Sequence, residues 1–126
     1  MRSSAAVVMA ILLAGCAGDD RPPAERVAGT YRAPSGPNTL ELRGDSWTLT
    51  SGTLVKTGIV EVTPARMAFV LERVSSPAFD LYCRETVDVY DWELEGEALR
   101  FRAVGHTCDR AARAVFMLGP WRRVGS

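Results

Sequence analysis

The sequence predicts an all-β protein: one eight-stranded antiparallel up-and-down (meander) barrel braced by a single disulfide. From Val27 onward, short runs of alternating or β-branched residues are separated by Gly, Pro, Asn and Asp, with no helical period of useful length. Turn residues between the runs set hairpin registers that collect the apolar side chains on one face. The resulting meander brings two distant cysteines, Cys83 and Cys108, to one end of the barrel.

In chain order, Arg2 is the one charge before an apolar run that ends at Ala14, far shorter than the roughly 20 residues of a membrane-spanning helix. Residues 1–15 therefore read as an export signal removed from the mature chain. Leu13-Ala14-Gly15-Cys16 at the end of this run resembles the lipobox of bacterial lipoprotein signal peptides. The resemblance implies that Cys16 becomes the mature N-terminus and carries a lipid, so the expected location is the bacterial cell envelope, extracytoplasmic and held to the membrane through Cys16. Residues 16–26, with Asp19-Asp20 and Pro22-Pro23, are polar and read as a flexible tether. Residues 27–124 form the barrel, a length suited to one domain. The 126-residue chain has 15 basic and 15 acidic side chains, a balance that gives nucleic acid no electrostatic footprint.

The first strand is expected over 27–32. The second and third, 39–43 and 46–51, meet at Gly44-Asp45, which sets Leu42 opposite Trp47 and Leu40 opposite Leu49, leaving Glu41 and Thr48 on the other face. Strands 54–62 and 66–72 join through Thr63-Pro64-Ala65 and extend the apolar face with Val60, Val62, Met67, Phe69 and Leu71. Strands 87–95 and 98–104 turn at Gly96-Glu97, placing Tyr90, Trp92 and Leu94 with Leu99, Phe101 and Ala103. Asp91 and Glu93 then face Arg100 and Arg102 on the outside, a ladder worth only tenths of a kcal/mol per pair but diagnostic of register. A turn at Glu95-Gly96 would shift the partners by two and keep both faces. The eighth strand is expected over 112–118.

Closing such a meander removes exposed sheet edges. Successive connections alternate ends, so the three tight turns share one end while the longer connections 33–38, 52–53, 74–86 and 105–111 share the other. Cys83 and Cys108 both fall at the long-loop end. With Cys16 lipidated, an oxidising compartment leaves these two one way to pair. A redox or metal site lacks a C-x-x-C spacing and has one nearby histidine, His106.

Gly29-Thr30-Tyr31 on the first strand, the meander, Tyr90-x-Trp92-x-Leu94, Cys108-Asp109-Arg110 and the terminal Pro120-Trp121-Arg122 together resemble a short lipocalin-like (calycin) barrel. The resemblance covers nearly all of 27–124, with Tyr31 where the family's Gly-x-Trp motif has tryptophan. It implies that this aromatic closes the barrel base under an arginine following the last strand, the matching position being Arg122 or Arg123. A ligand cavity lined by Trp47, Phe69, Tyr90, Trp92 and Phe101 would then bind or sequester a small hydrophobic molecule. The competing expectation is that these aromatics fill the interior and that the protein is an envelope interaction module, such as a lysozyme or protease inhibitor, acting through exposed loops. No enzyme, cofactor or metal is expected. His106 has no serine or cysteine nucleophile in a turn motif beside it, and the acidic stretch Asp80, Glu85, Asp88 and Asp91 lacks the spacing of a calcium loop. Arg43-Gly44-Asp45 is explained by hairpin chemistry.

Overall fold

Two prolines open the domain. With φ preset for a helix start, Pro23 begins a single helical turn, α1 (Pro23–Arg26), in which the Pro22 carbonyl accepts from the N–H groups of Glu25 and Arg26. The computed structural model describes residues 20–76 and 83–125. Cys16, the signal segment 1–15 and residues 77–82 lie outside that range.

After α1 the chain forms β1 (Gly29–Arg32), β2 (Asn38–Arg43), β3 (Ser46–Ser51), β4 (Leu54–Val62), β5 (Arg66–Val74), β6 (Val87–Glu95) and β7 (Ala98–Ala103). A helix, α2 (Arg110–Phe116), precedes β8 (Trp121–Gly125), which pairs with both β7 and β1 to close an antiparallel barrel in sequential order. The hairpin registers are those set by the turn residues. Leu42 faces Trp47 and Leu40 faces Leu49 across β2–β3, and Val60 faces Phe69 across β4–β5. Trp92 faces Phe101 across β6–β7, the register of a Gly96-Glu97 turn. On the outside Asp91 holds Arg66 at 3.0 Å and Arg102 at 3.3 Å, while Glu93 and Arg100 are cross-strand partners without an ion pair among the described residues.

Two expectations are corrected. The eighth strand is not 112–118: that stretch lies largely in α2, and the barrel closes with the final residues, Trp121–Gly125, instead. The apolar run Ala111 to Leu118 satisfies strand and helix templates alike, and two local features decide for the helix. The Asp109 side chain accepts from Ala112 N–H at 3.0 Å as an N-cap, and three alanines supply high helix propensity. The flexible tether expected over 16–26 is the second, since its residues 23–26 are a helical turn packed at the tight-turn end, where Arg26 lies over the Trp92 ring at 5.7 Å.

Cys83 and Cys108 are disulfide-bonded with their Cα atoms 5.6 Å apart, joining the β5–β6 and β7–β8 connections at the long-loop end. The core is one continuous cluster drawn from the inward faces of all eight strands together with Ala112 and Phe116 of α2.

Candidate functional site

At the long-loop end, α2 lies across the barrel opening and turns Ala112 and Phe116, four residues apart and so on one helix face, into it. Phe116 is 1 % exposed, and its ring centroid lies 4.9 Å from Tyr90 and 5.0 Å from both Phe69 and Phe101. Of the aromatics expected to line a cavity, Phe69, Tyr90 and Phe101 therefore close around Phe116, and Trp47 meets Phe69 edge-on at 5.4 Å. Trp92 is not with them. Its indole N–H donates to the Thr63 carbonyl at 2.9 Å, which holds it at the tight-turn end under Arg26.

The interior pocket bounded by Trp47, Phe69, Tyr90, Asp109 and Phe116 measures about 10 Å³, at the threshold for one water molecule. A second pocket of about 50 Å³ lies between α2 and the β3–β4 rim, against Leu49, Leu54 and Val115. Drug-sized ligands occupy roughly 300–1,000 Å³.

Polar fasteners hold α2 down. Lys56, the chain's single lysine, is 3 % exposed, and its Nζ donates to both Asp109 carboxylate oxygens at 2.8 and 3.1 Å. Asp109 is thus at once the helix cap and the counter-charge of a buried cation. From β6, Asp88 accepts from the backbone N–H groups of Cys108 at 2.8 Å and Asp109 at 3.1 Å. With the disulfide, these bonds tie the start of α2 to β4 and β6. None of these roles was read from the sequence, although a lone lysine among arginines, and an aspartate three residues before an alanine, are the signals that could have pointed to them.

The opposite end is closed by Arg123, one of the two candidate arginines. Its guanidinium lies over the Tyr31 ring at 5.6 Å, donates to the Arg26 and Ala28 carbonyls at 2.9 and 3.0 Å, and is bidentate with Glu97 at 2.8 and 3.3 Å. Gly29, at φ 144°, makes this possible: a Cβ there would stand 2.7 Å from Arg123 Cδ and 2.6 Å from the Gly125 carbonyl. Gly58 has a parallel role on β4, where a Cβ would collide with the Val70 carbonyl that accepts from the Trp47 indole at 3.1 Å.

Both described tyrosines resist ionisation. Burial pushes Tyr31 up to about 12, with Arg123 opposing, and burial beside Asp88 and Asp109 pushes Tyr90 further in the same direction. Because the folded state disfavours each phenolate, stability is intact below the ordinary phenol value near 10 and declines as pH climbs from there toward 12. In an alkaline titration, phenolate absorbance from these two residues should appear only together with loss of circular dichroism. Ordinary ionisation of all tyrosines near pH 10 in a protein that stays folded would show that the phenols reach solvent.

Among the described residues, no group of three or more His, Cys, Asp or Glu is placed to hold a metal, and no helix is long and apolar enough to cross a membrane. No family model, curated protein or solved structure matches the chain.

Proposed function

We propose that this chain is an envelope-anchored protein-interaction module, held to the membrane by a lipid on Cys16 and presenting a disulfide-braced barrel whose interior is its own packing. The observation that carries this reading is the Phe116 ring seated among Phe69, Tyr90 and Phe101, with about 10 Å³ left in the pocket beside it. A carrier of a small hydrophobic molecule would first have to expel Phe116 and break the fasteners on α2. Topology supports the orientation. The chain enters the barrel through α1 at the tight-turn end, so a lipid on Cys16 would lie no more than about 20 Å from Pro22 along an extended chain. The long-loop end, with α2 across it, would then face away from the bilayer, where a partner can reach it.

The test has two arms. Tryptophan fluorescence titrated with fatty acids and quinones should show no saturable change, and a saturable response would restore the small-ligand reading. Cys16→Ala should move the protein from the membrane to the soluble fraction with an unchanged thermal melt, and membrane retention would defeat the lipid anchor.

A further inference from the structure

The outward face of α2 carries arginines that no side chain of the fold pairs with among the described residues. Arg110, Arg113 and Met117 follow one another at i, i+3 and i+7, opposite the buried Ala112 and Phe116, and so share the solvent side of the helix. Arg84 lies at the same end of the barrel, next in sequence to Cys83, whose Cα is 5.6 Å from that of Cys108. Arg73 joins the same rim, two residues beyond Leu71, to which Arg84 is bridged. All four arginines are exposed, and none makes an ion pair or side-chain hydrogen bond among the described residues. The hydrogen bonds of Asp88 and Asp109 go to backbone N–H groups and to Lys56 rather than to these arginines. Glu72 and Glu85 are the exposed acids nearest in sequence.

Two of these choices work against the helix. Arg110 puts a cation at the N-terminal end, against the helix dipole, and like charges three apart repel. Exposed guanidinium groups left without a partner in the fold are available to a contact outside it. Just past the end of the helix, Met117 and Leu118 are 42 % and 47 % exposed, the Met117 Sδ accepting from the Ala103 N–H at 3.4 Å.

We propose that the outward face of α2, with Arg110, Arg113, Met117 and Leu118 at its centre and Arg84 and Arg73 at its edge, docks an acidic surface of a partner protein. It rests on the interaction-module reading and names the surface and the charge of the partner. Guanidinium groups pair bidentately with carboxylates, and the apolar pair supplies the desolvated contact that protein interfaces favour and a phosphate polymer does not use.

The test uses the full-length protein in its own cells, with a photo-crosslinking amino acid at Leu118 or, as a control, at Thr48 on the outer face of β3. Irradiation should join Leu118, and not Thr48, to a protein whose cross-linked site lies in an acidic patch. The Arg110→Glu/Arg113→Glu double variant should lower adduct yield by about tenfold or more with an unchanged thermal melt, while Arg110→Lys/Arg113→Lys retains most of it. An adduct insensitive to charge reversal, a contact site that is not acidic, or adducts to lipid or glycan would overturn the proposal. So would the absence of a protein adduct at Leu118. In that case a protein captured at Thr48 leaves the module reading standing with a different surface, whereas no capture at either site together with a saturable fatty-acid response removes both.

Discussion

The Phe116→Ala protein is expected to lose about 3–5 kcal/mol of stability, the range for deleting a buried aromatic ring, and to melt on the order of 15 °C lower or more. Phe116 touches ring systems on three successive strands, β5, β6 and β7, whose spacing is fixed by backbone ladders, so the walls cannot collapse into the space the ring leaves. A cavity results rather than a rearrangement. Lined by Phe69, Tyr90 and Phe101, it should take up an apolar probe such as benzene, which the wild-type protein should not bind. Differential scanning calorimetry with and without benzene measures both effects. A loss below about 1 kcal/mol, or benzene binding by the wild type, would mean that α2 is not seated in the barrel. Arg113→Ala, on the solvent side of the same helix, is the control and should change stability by no more than about 0.5 kcal/mol.

Removing the disulfide as Cys83→Ser/Cys108→Ser should cost about 3.5 kcal/mol, the chain-entropy value for a cross-link spanning 25 residues. The double replacement avoids leaving a free thiol. The bond closes the chain between β5 and the start of α2, so its loss frees the long-loop end in the unfolded ensemble and leaves α2 held by Asp88, by the Lys56–Asp109 pair and by Phe116. Since the disulfide and Phe116 secure the same helix, the triple variant should depart from the sum of the two losses. Additive losses would place the disulfide and the ring in independent units. Thiol labelling of native exported protein that finds both cysteines reduced would refute the pairing outright.

Where a hairpin turn and the alternation of side chains specify the same register, the sequence alone was sufficient. Gly44-Asp45, Thr63-Pro64-Ala65 and Gly96-Glu97 each leave their flanking strands a pairing that gathers the large apolar residues on one face, Ile59 and Val87 excepted, and a slip by one residue would expose Leu42, Phe69 or Trp92. The closed eight-stranded meander and the common end of Cys83 and Cys108 follow from those local facts. The run 112–118 departs from the expected strand because a short apolar segment carries no decisive periodicity of its own. Its helix is decided by Asp109 at the cap and by the mouth of the barrel, which accepts two residues four apart but has no free strand edge for seven in a row.

Among the site residues, Phe69, Tyr90 and Phe101 were legible as inward-facing, yet whether they surround a ligand or a side chain depends on volume, which no strand pattern encodes. Phe116 supplies that volume from a connection far along the chain. The same holds for Lys56 and Asp109, whose pairing spans 53 residues and exists because β4 and the helix cap meet at the barrel rim. Local sequence thus determined which elements form and which way they face, since both are set by backbone dihedrals and side-chain alternation over a few residues. Only the tertiary structure decided that the barrel is filled, that α2 closes it and that an arginine face is left outward, because those outcomes rest on packing and charge between segments that meet only when the barrel closes.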